Sequence, residues 1–167
     1  GQTLAVTGAA GAVGGYGIQL GAAEGLRVIA VSAPQDEALA RELGATEFVP
    51  RGGDVAQRLR QVRPDGVDGI LDAAVIGRPL LPAIKDDGGI ACVRGWEGES
   101  ERGIAIHRVL VSDYARNQAA LDKLARAAKD GKLTLRVAET FPPERAADAQ
   151  QKLAAGGVRG RLLIVFG

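Results

Sequence analysis

The sequence has one cysteine, one histidine and no methionine among its 167 residues. The single thiol, Cys92, excludes an internal disulfide and any multi-cysteine metal site. With His107 as the only imidazole, no metal is expected in this chain. Aromatic residues are 4% of the total, too few to build stacking platforms for single-stranded bases. An excess of one charge is missing too. The 21 basic and 20 acidic residues leave a net charge of +1, which provides no field to gather nucleic acid or an anionic membrane. No apolar run reaches bilayer length, and no basic segment followed by an apolar one stands at the start. The expectation is a soluble protein of the reducing cytoplasm.

What the chain has in quantity is glycine, 24 residues, many at the ends of short apolar runs. Those runs predict strands at 3–7, 27–32, 47–49, 69–72, 90–93 and 104–111. Helical stretches stand between them: 13–24 stopped by Gly25, one opened by Pro34 and closed at Gly44, 54–63 before Pro64, and a turn over 79–85. A longer helix is expected over 113–129, with Leu121 and Leu124 on one face and charges on the other. Strands alternating with helices predict an α/β fold with a parallel sheet covered on both faces, a doubly wound Rossmann arrangement. Residues 1–130 are expected to form that dinucleotide-binding unit. Residues 131–167 read as a short strand–helix–strand extension (134–137, 144–155, 161–166) that such a unit does not need.

The strongest chemical signal is Thr7-Gly-Ala-Ala-Gly-Ala-Val-Gly14, set between a strand and a helix. Free amides at a helix start, with the helix dipole behind them, suit a pyrophosphate. Small residues permit its close approach, so Ala10, Gly11, Ala12, Val13 and Gly14 are the candidate phosphate contacts. The full three-glycine pattern is absent, because Ala9 stands where its first glycine would be. The competing reading is a tight strand-to-helix turn that binds nothing.

Cofactor choice turns on the end of the second strand, where an acid commonly takes the ribose hydroxyls of NAD. That strand ends at Ser32. Asp36 and Glu37 follow inside the next helix and are expected to serve its N-terminal dipole. Ser32 and Arg51, after the third strand, are candidates for the 2′-phosphate of NADP, which is ranked above NAD. Ala73 and Ala74 leave room for the cofactor beyond Asp72, and Val93 to Gly95 mark the edge where nicotinamide would lie. Asp72 itself is expected to make a structural hydrogen bond or orient a nearby loop. Trp96 either lines that cleft or covers the sheet. Cys92 reads as a small core residue, and His107 as a surface or interface one.

The stretch Gly1-Gln-Thr-Leu-Ala-Val-Thr-Gly-Ala-Ala-Gly-Ala-Val-Gly14 with Ile18-Gln-Leu20 resembles the medium-chain dehydrogenase/reductases. Leu43-Gly-Ala45, Val67-Asp-Gly-Ile-Leu-Asp72, Gly88-Gly89 and Gly156-Gly-Val-Arg-Gly-Arg161 extend the likeness along the chain. It is most similar to the quinone oxidoreductase (zeta-crystallin-like) branch of the zinc-binding dehydrogenase family. That resemblance implies NAD(P)H-dependent reduction of a quinone, enone or related carbonyl in a homodimeric enzyme. It also implies a preceding barrel-like catalytic domain to which 131–167 would return, and no turnover from this stretch alone. NADPH-using relatives carry a basic residue near the position of Arg51, often after an aromatic; Pro50 is that neighbour here. Their basic residue just after the second strand is not visible. An extended short-chain dehydrogenase or epimerase would need Tyr with Lys four residues on, but Tyr16 is answered by Leu20 and Tyr114 by Gln118. Two further readings stay open: a non-catalytic NADP(H) sensor, and a zinc alcohol dehydrogenase whose metal ligands would lie mostly upstream.

Overall fold

The structure, a computed structural model, describes residues Gly1–Gly167. Strands β1 (Thr3–Thr7) and β2 (Arg27–Ser32) are apolar with little alternation, and residues 28–32 are all buried. Strands of that kind belong in the middle of a parallel sheet, where both faces are covered. They lie there, flanked by β3 (Glu47–Pro50) and β4 (Val67–Asp72), then β5 (Ile84–Cys92) and β6 (Ala105–Arg108). The sheet has six parallel strands in the order β3-β2-β1-β4-β5-β6. The chain winds one way from β1 and the other way from β4, so the topological switch point lies between those two strands.

Helices α1 (Ala12–Ala23) and α2 (Glu37–Glu42) cover one face, with Ile18, Ala40 and Leu43 packed on Val6, Val28 and Ala30. The opposite core joins Ala5, Ile29, Ile70 and Ile90 to Leu59 of α3 (Val55–Val62) and to Leu80 and Leu81 of a 3-10 turn. Asp54 caps α3 by accepting from the Gln57 amide at 2.9 Å. Beyond β6 come α4 (Val111–Tyr114) and α5 (Gln118–Lys129). The extension supplies β7 (Val137–Phe141), α6 (Ala146–Ala155) and β8 (Arg161–Ile164), with β7 and β8 paired in parallel as a separate sheet. No helix is long and apolar enough to cross a membrane.

Several boundaries differ from the sequence reading. Extended structure begins at Ile84, inside the stretch that reads as a helical turn, because Val67 pairs with Ile84 before a register shift and Gly69 pairs with Gly89. The expected 113–129 helix is broken, since Asn117 accepts from the Ala120 amide at 3.1 Å and starts α5 afresh. Leu121 and Leu124 are both exposed, and α5 buries no residue. Strand β7 starts later than 134 because Lys132 and Leu133 fold back to the Ala127 carbonyl, while Thr134 is tied to Gln19.

Candidate cofactor site

All the predicted site residues come to the carboxyl edge of the sheet. Register places Thr7 beside Val31 and Asp72, and Asp72 beside Cys92. The loops leaving β1, β2, β3, β4 and β5 therefore share one rim. The turn after β1 is built from backbone. Gly8 has φ +60, and a Cβ on it would sit 3.2 Å from backbone atoms of Ala73 and Ala74. Gly8 thus provides the left-handed residue that the turn needs, so Ala9 need not. Ala9 is fully buried and donates its amide to the Val31 carbonyl. Gly11 is the N-cap of α1 and offers no side-chain cap, which leaves the amides of Ala12, Val13 and Gly14 without intrahelical partners. Those amides, at the positive end of the helix, form the cradle that an anion would fill. Ala10 is buried beneath it, and Val13 is exposed at its lip.

The end of β2 differs from expectation. Ser32 is buried, and its hydroxyl donates to Asp36 at 2.9 Å instead of standing free for a phosphate. Asp36 makes no capping hydrogen bond to α2. It is buried and receives Nε and Nη2 of Arg159 at 2.7 and 2.9 Å. Burial works against its charge, but the hydrogen bonds from Arg159 and Ser32 and the charges of Arg159 and Arg51 outweigh that cost. They hold the carboxyl below the usual range. Arg51 is exposed, and its amide donates to the Ser32 carbonyl, so it stands on the same rim.

On the other side of β1, Asp72 both anchors and orients. One carboxylate oxygen accepts from the Thr7 hydroxyl at 2.7 Å and the other from the Gly77 amide at 2.8 Å. The Thr7 hydroxyl in turn accepts from the Ala74 amide at 3.0 Å. The loop holding Ala73 and Ala74 is fixed by this buried network. Asp72→Ala is expected to lower the melting temperature by roughly 5–10 °C, because each orphaned buried group costs about 1–3 kcal/mol. A melting curve equal to wild type would show that the loop holds itself.

An open cavity of about 480 Å³ lies next to this loop, lined by Val75, Gly77, Arg78, Arg94, Gly95, Trp96 and Glu97. Gly95 is exposed and Val93 half-buried at its margin. Trp96 belongs to the core and mainly covers the sheet, with its indole nitrogen donating to the Gly98 carbonyl at 3.1 Å. His107 is exposed on the edge strand β6.

Residues 43–164 match the family model described as zinc-binding dehydrogenase. The chain belongs to the zinc-binding dehydrogenase family. Alcohol dehydrogenase 2 of Caenorhabditis elegans is 34% identical over 87 residues, 51% of this chain and 25% of the worm protein. A quinone oxidoreductase from Pseudomonas syringae pv. Tomato DC3000 superposes with a TM-score of 0.83 at 25% identity, covering 99% of this chain and 57% of that one. A structure described as an NAD-dependent alcohol dehydrogenase gives 0.82 at 26% identity, covering 99% and 52%. The chain therefore spans a quarter of the worm protein's length and little more than half the length of these two solved proteins. Despite the family's name, the side chains present do not fit a zinc site. No three of His, Cys, Asp and Glu converge, and Cys92 is buried in the core. Burial, with the Asp72 charge beside it, pushes the Cys92 thiol up, away from the thiolate that a metal requires.

Sequence reasoning quoted Gly8 and Arg159 within longer motifs without giving either a role, and it missed Arg136. The side chain of Arg136 donates through Nη2 to the carbonyls of Ala10 and Gly11 at 3.2 and 2.9 Å. It occupies the space left by Gly15, where a Cβ would lie 2.4 Å from that nitrogen.

Proposed function

We propose that this chain is the NAD(P)H-binding part of an oxidoreductase that reduces a quinone, enone or related carbonyl, with NADPH preferred over NADH. The observation that carries the reading is the uncapped, small-residue turn at the switch point of the sheet. The bound nicotinamide would supply a hydride. The chain's own residues would bind and orient. The amides of Ala12, Val13 and Gly14 would hold the pyrophosphate. Ala73, Ala74, Val93 and Gly95 would leave the nicotinamide half a path along the rim toward the cavity beside Trp96. Thr7 and Asp72 would keep that path in place without touching the cofactor.

The preference for NADPH rests on charge at the ribose end. With the Ser32 hydroxyl committed to Asp36, Arg51 is a cation on this side that is exposed to meet a 2′-phosphate. Titration calorimetry with both nucleotides tests the proposal directly. Arg51→Ala is expected to weaken NADPH by about ten- to a hundredfold, the worth of one charged hydrogen bond. NADH should be left nearly untouched, and the difference should shrink as salt is added. Absence of binding by either nucleotide to the wild-type chain would refute the cofactor reading. An equal loss for both in the variant would make Arg51 a support of the fold.

A further inference from the structure

Strands β7 and β8 lie far from the cofactor rim in sequence, yet they reach it twice. Arg136, just before β7, grips the carbonyls of the phosphate turn, and its own carbonyl accepts from the Arg161 amide at 2.8 Å. Arg159, just before β8, reaches Asp36 at the end of β2. The strand pair is thus fixed at the phosphate turn and at the ribose end together.

Hydrogen bonding at the ribose end is uneven. A carboxylate offers about four acceptor positions and a guanidinium five donors. Asp36 has three acceptances committed, one from Ser32 and two from Arg159. Arg159 has used only Nε and Nη2, which leaves Nη1 free on a side chain that is 34% exposed. With Arg51 on the same rim, two cations face one nearly saturated anion. That arrangement suits an added dianion better than it suits a pair of ribose hydroxyls in search of an acceptor.

We propose that Arg159 is a specificity-determining residue, the second guanidinium for the 2′-phosphate of NADPH, and that Asp36 is the positioning residue that holds it on the rim. The proposal rests on the reading that the turn binds a nicotinamide dinucleotide. It gives the 131–167 extension a direct part in cofactor selection.

The test is calorimetric titration of the 167-residue chain with NADPH and NADH, repeated with 2′,5′-ADP and 5′-AMP to isolate the phosphate. Arg159→Met is expected to weaken NADPH and 2′,5′-ADP by about tenfold or more, and NADH and 5′-AMP by less than about twofold. Because Arg159→Met leaves the Asp36 carboxylate buried without its partner, the comparison is also made on a second background. Asp36→Asn is set against Asp36→Asn/Arg159→Met, where no stranded charge remains, and a selective loss for NADPH and 2′,5′-ADP is expected between those two as well, smaller because an amide oxygen holds the guanidinium less firmly than a carboxylate. Equal losses for both nucleotides on that background, or none, would overturn the proposal. So would Asp36→Asn weakening NADH while sparing NADPH, because Asp36 would then be the ribose acceptor. Failure of the wild-type chain to bind any of the four ligands would instead bring down the cofactor reading beneath it.

Discussion

Gly14→Ala is expected to lower the melting temperature by roughly 5–10 °C and to remove nucleotide binding with it. A Cβ at that position would lie 2.3 Å from the Gly8 carbonyl oxygen, 2.7 Å from the Gly8 carbonyl carbon and 2.8 Å from the Ala9 Cα. All three are backbone atoms of the turn itself, so no rotamer change relieves the contact. Helix α1 must move away from the end of β1, and Ile18, fully buried, moves with it. Overpacking of this kind costs about 1–3 kcal/mol, and each kcal/mol is worth about 2–4 °C in a domain of this size. Gly17→Ala is the control within the same helix. Its Cβ would meet the Leu71 Cδ2 atom at 2.3 Å, the far end of a flexible side chain, which can turn aside. Alanine in a helix interior returns up to about 1 kcal/mol, so that variant should melt near wild type. If Gly14→Ala melts with Gly17→Ala and still binds nucleotide, the close approach of α1 to the turn is not required.

Gly11→Asp separates binding from folding. Gly11 has φ −70 and ψ 174, an extended conformation open to any residue, and it is the N-cap of α1. Aspartate is among the best N-cap residues and its charge favours the helix dipole. A Cβ there would meet the Gly8 carbonyl oxygen at 3.1 Å, a tight contact that a small shift absorbs. The folded state should therefore hold its melting temperature or gain slightly. The new carboxylate would, however, compete with pyrophosphate for the same amides and repel it. A like charge about 4 Å away costs roughly 4 kcal/mol at a protein surface, so affinity should fall by about a hundredfold or more. Unchanged affinity in calorimetry would remove the phosphate assignment from this turn. A drop in melting temperature matching Gly14→Ala would mean that binding was lost through the fold.

The rim and the small-residue turn after β1 were legible in the sequence because each part is local. Apolar runs bounded by glycine mark the strands, and Thr7 to Gly14 carries strand, turn and helix start within a few residues. β2 and β3 pair so that Ser32 lies next to Pro50, which brings Arg51 to the same rim. The failures are non-local or hidden in polar wording. Ile84 and Lys85 read as the end of a helical turn and the strand as starting only at Ile90, yet pairing with β4 draws all of Ile84 to Cys92 into β5. Ser32 read as free for a phosphate and Asp36 as serving its helix dipole, yet Ser32 donates to Asp36, whose other partner, Arg159, stands 123 residues further on. Asn117 was the one missed feature that the sequence did signal, being a strong helix opener in the middle of an expected helix.

That 123-residue reach has a consequence for the order in which the molecule is completed. The six strands of the main sheet and the helices packed on them lie within the first 129 residues and share two cores that need nothing from beyond them. The rim is different. Arg159 and Arg136 close loops of 123 and 125 residues, and closing such long loops is entropically slow and comes late. As the chain leaves the ribosome, the sheet can assemble while the turn after β1 and the end of β2 still lack their far arginines. The rim is therefore completed by residues made after those of the sheet, and a chain cut before Arg136 would keep the strands of the main sheet without either of these ties.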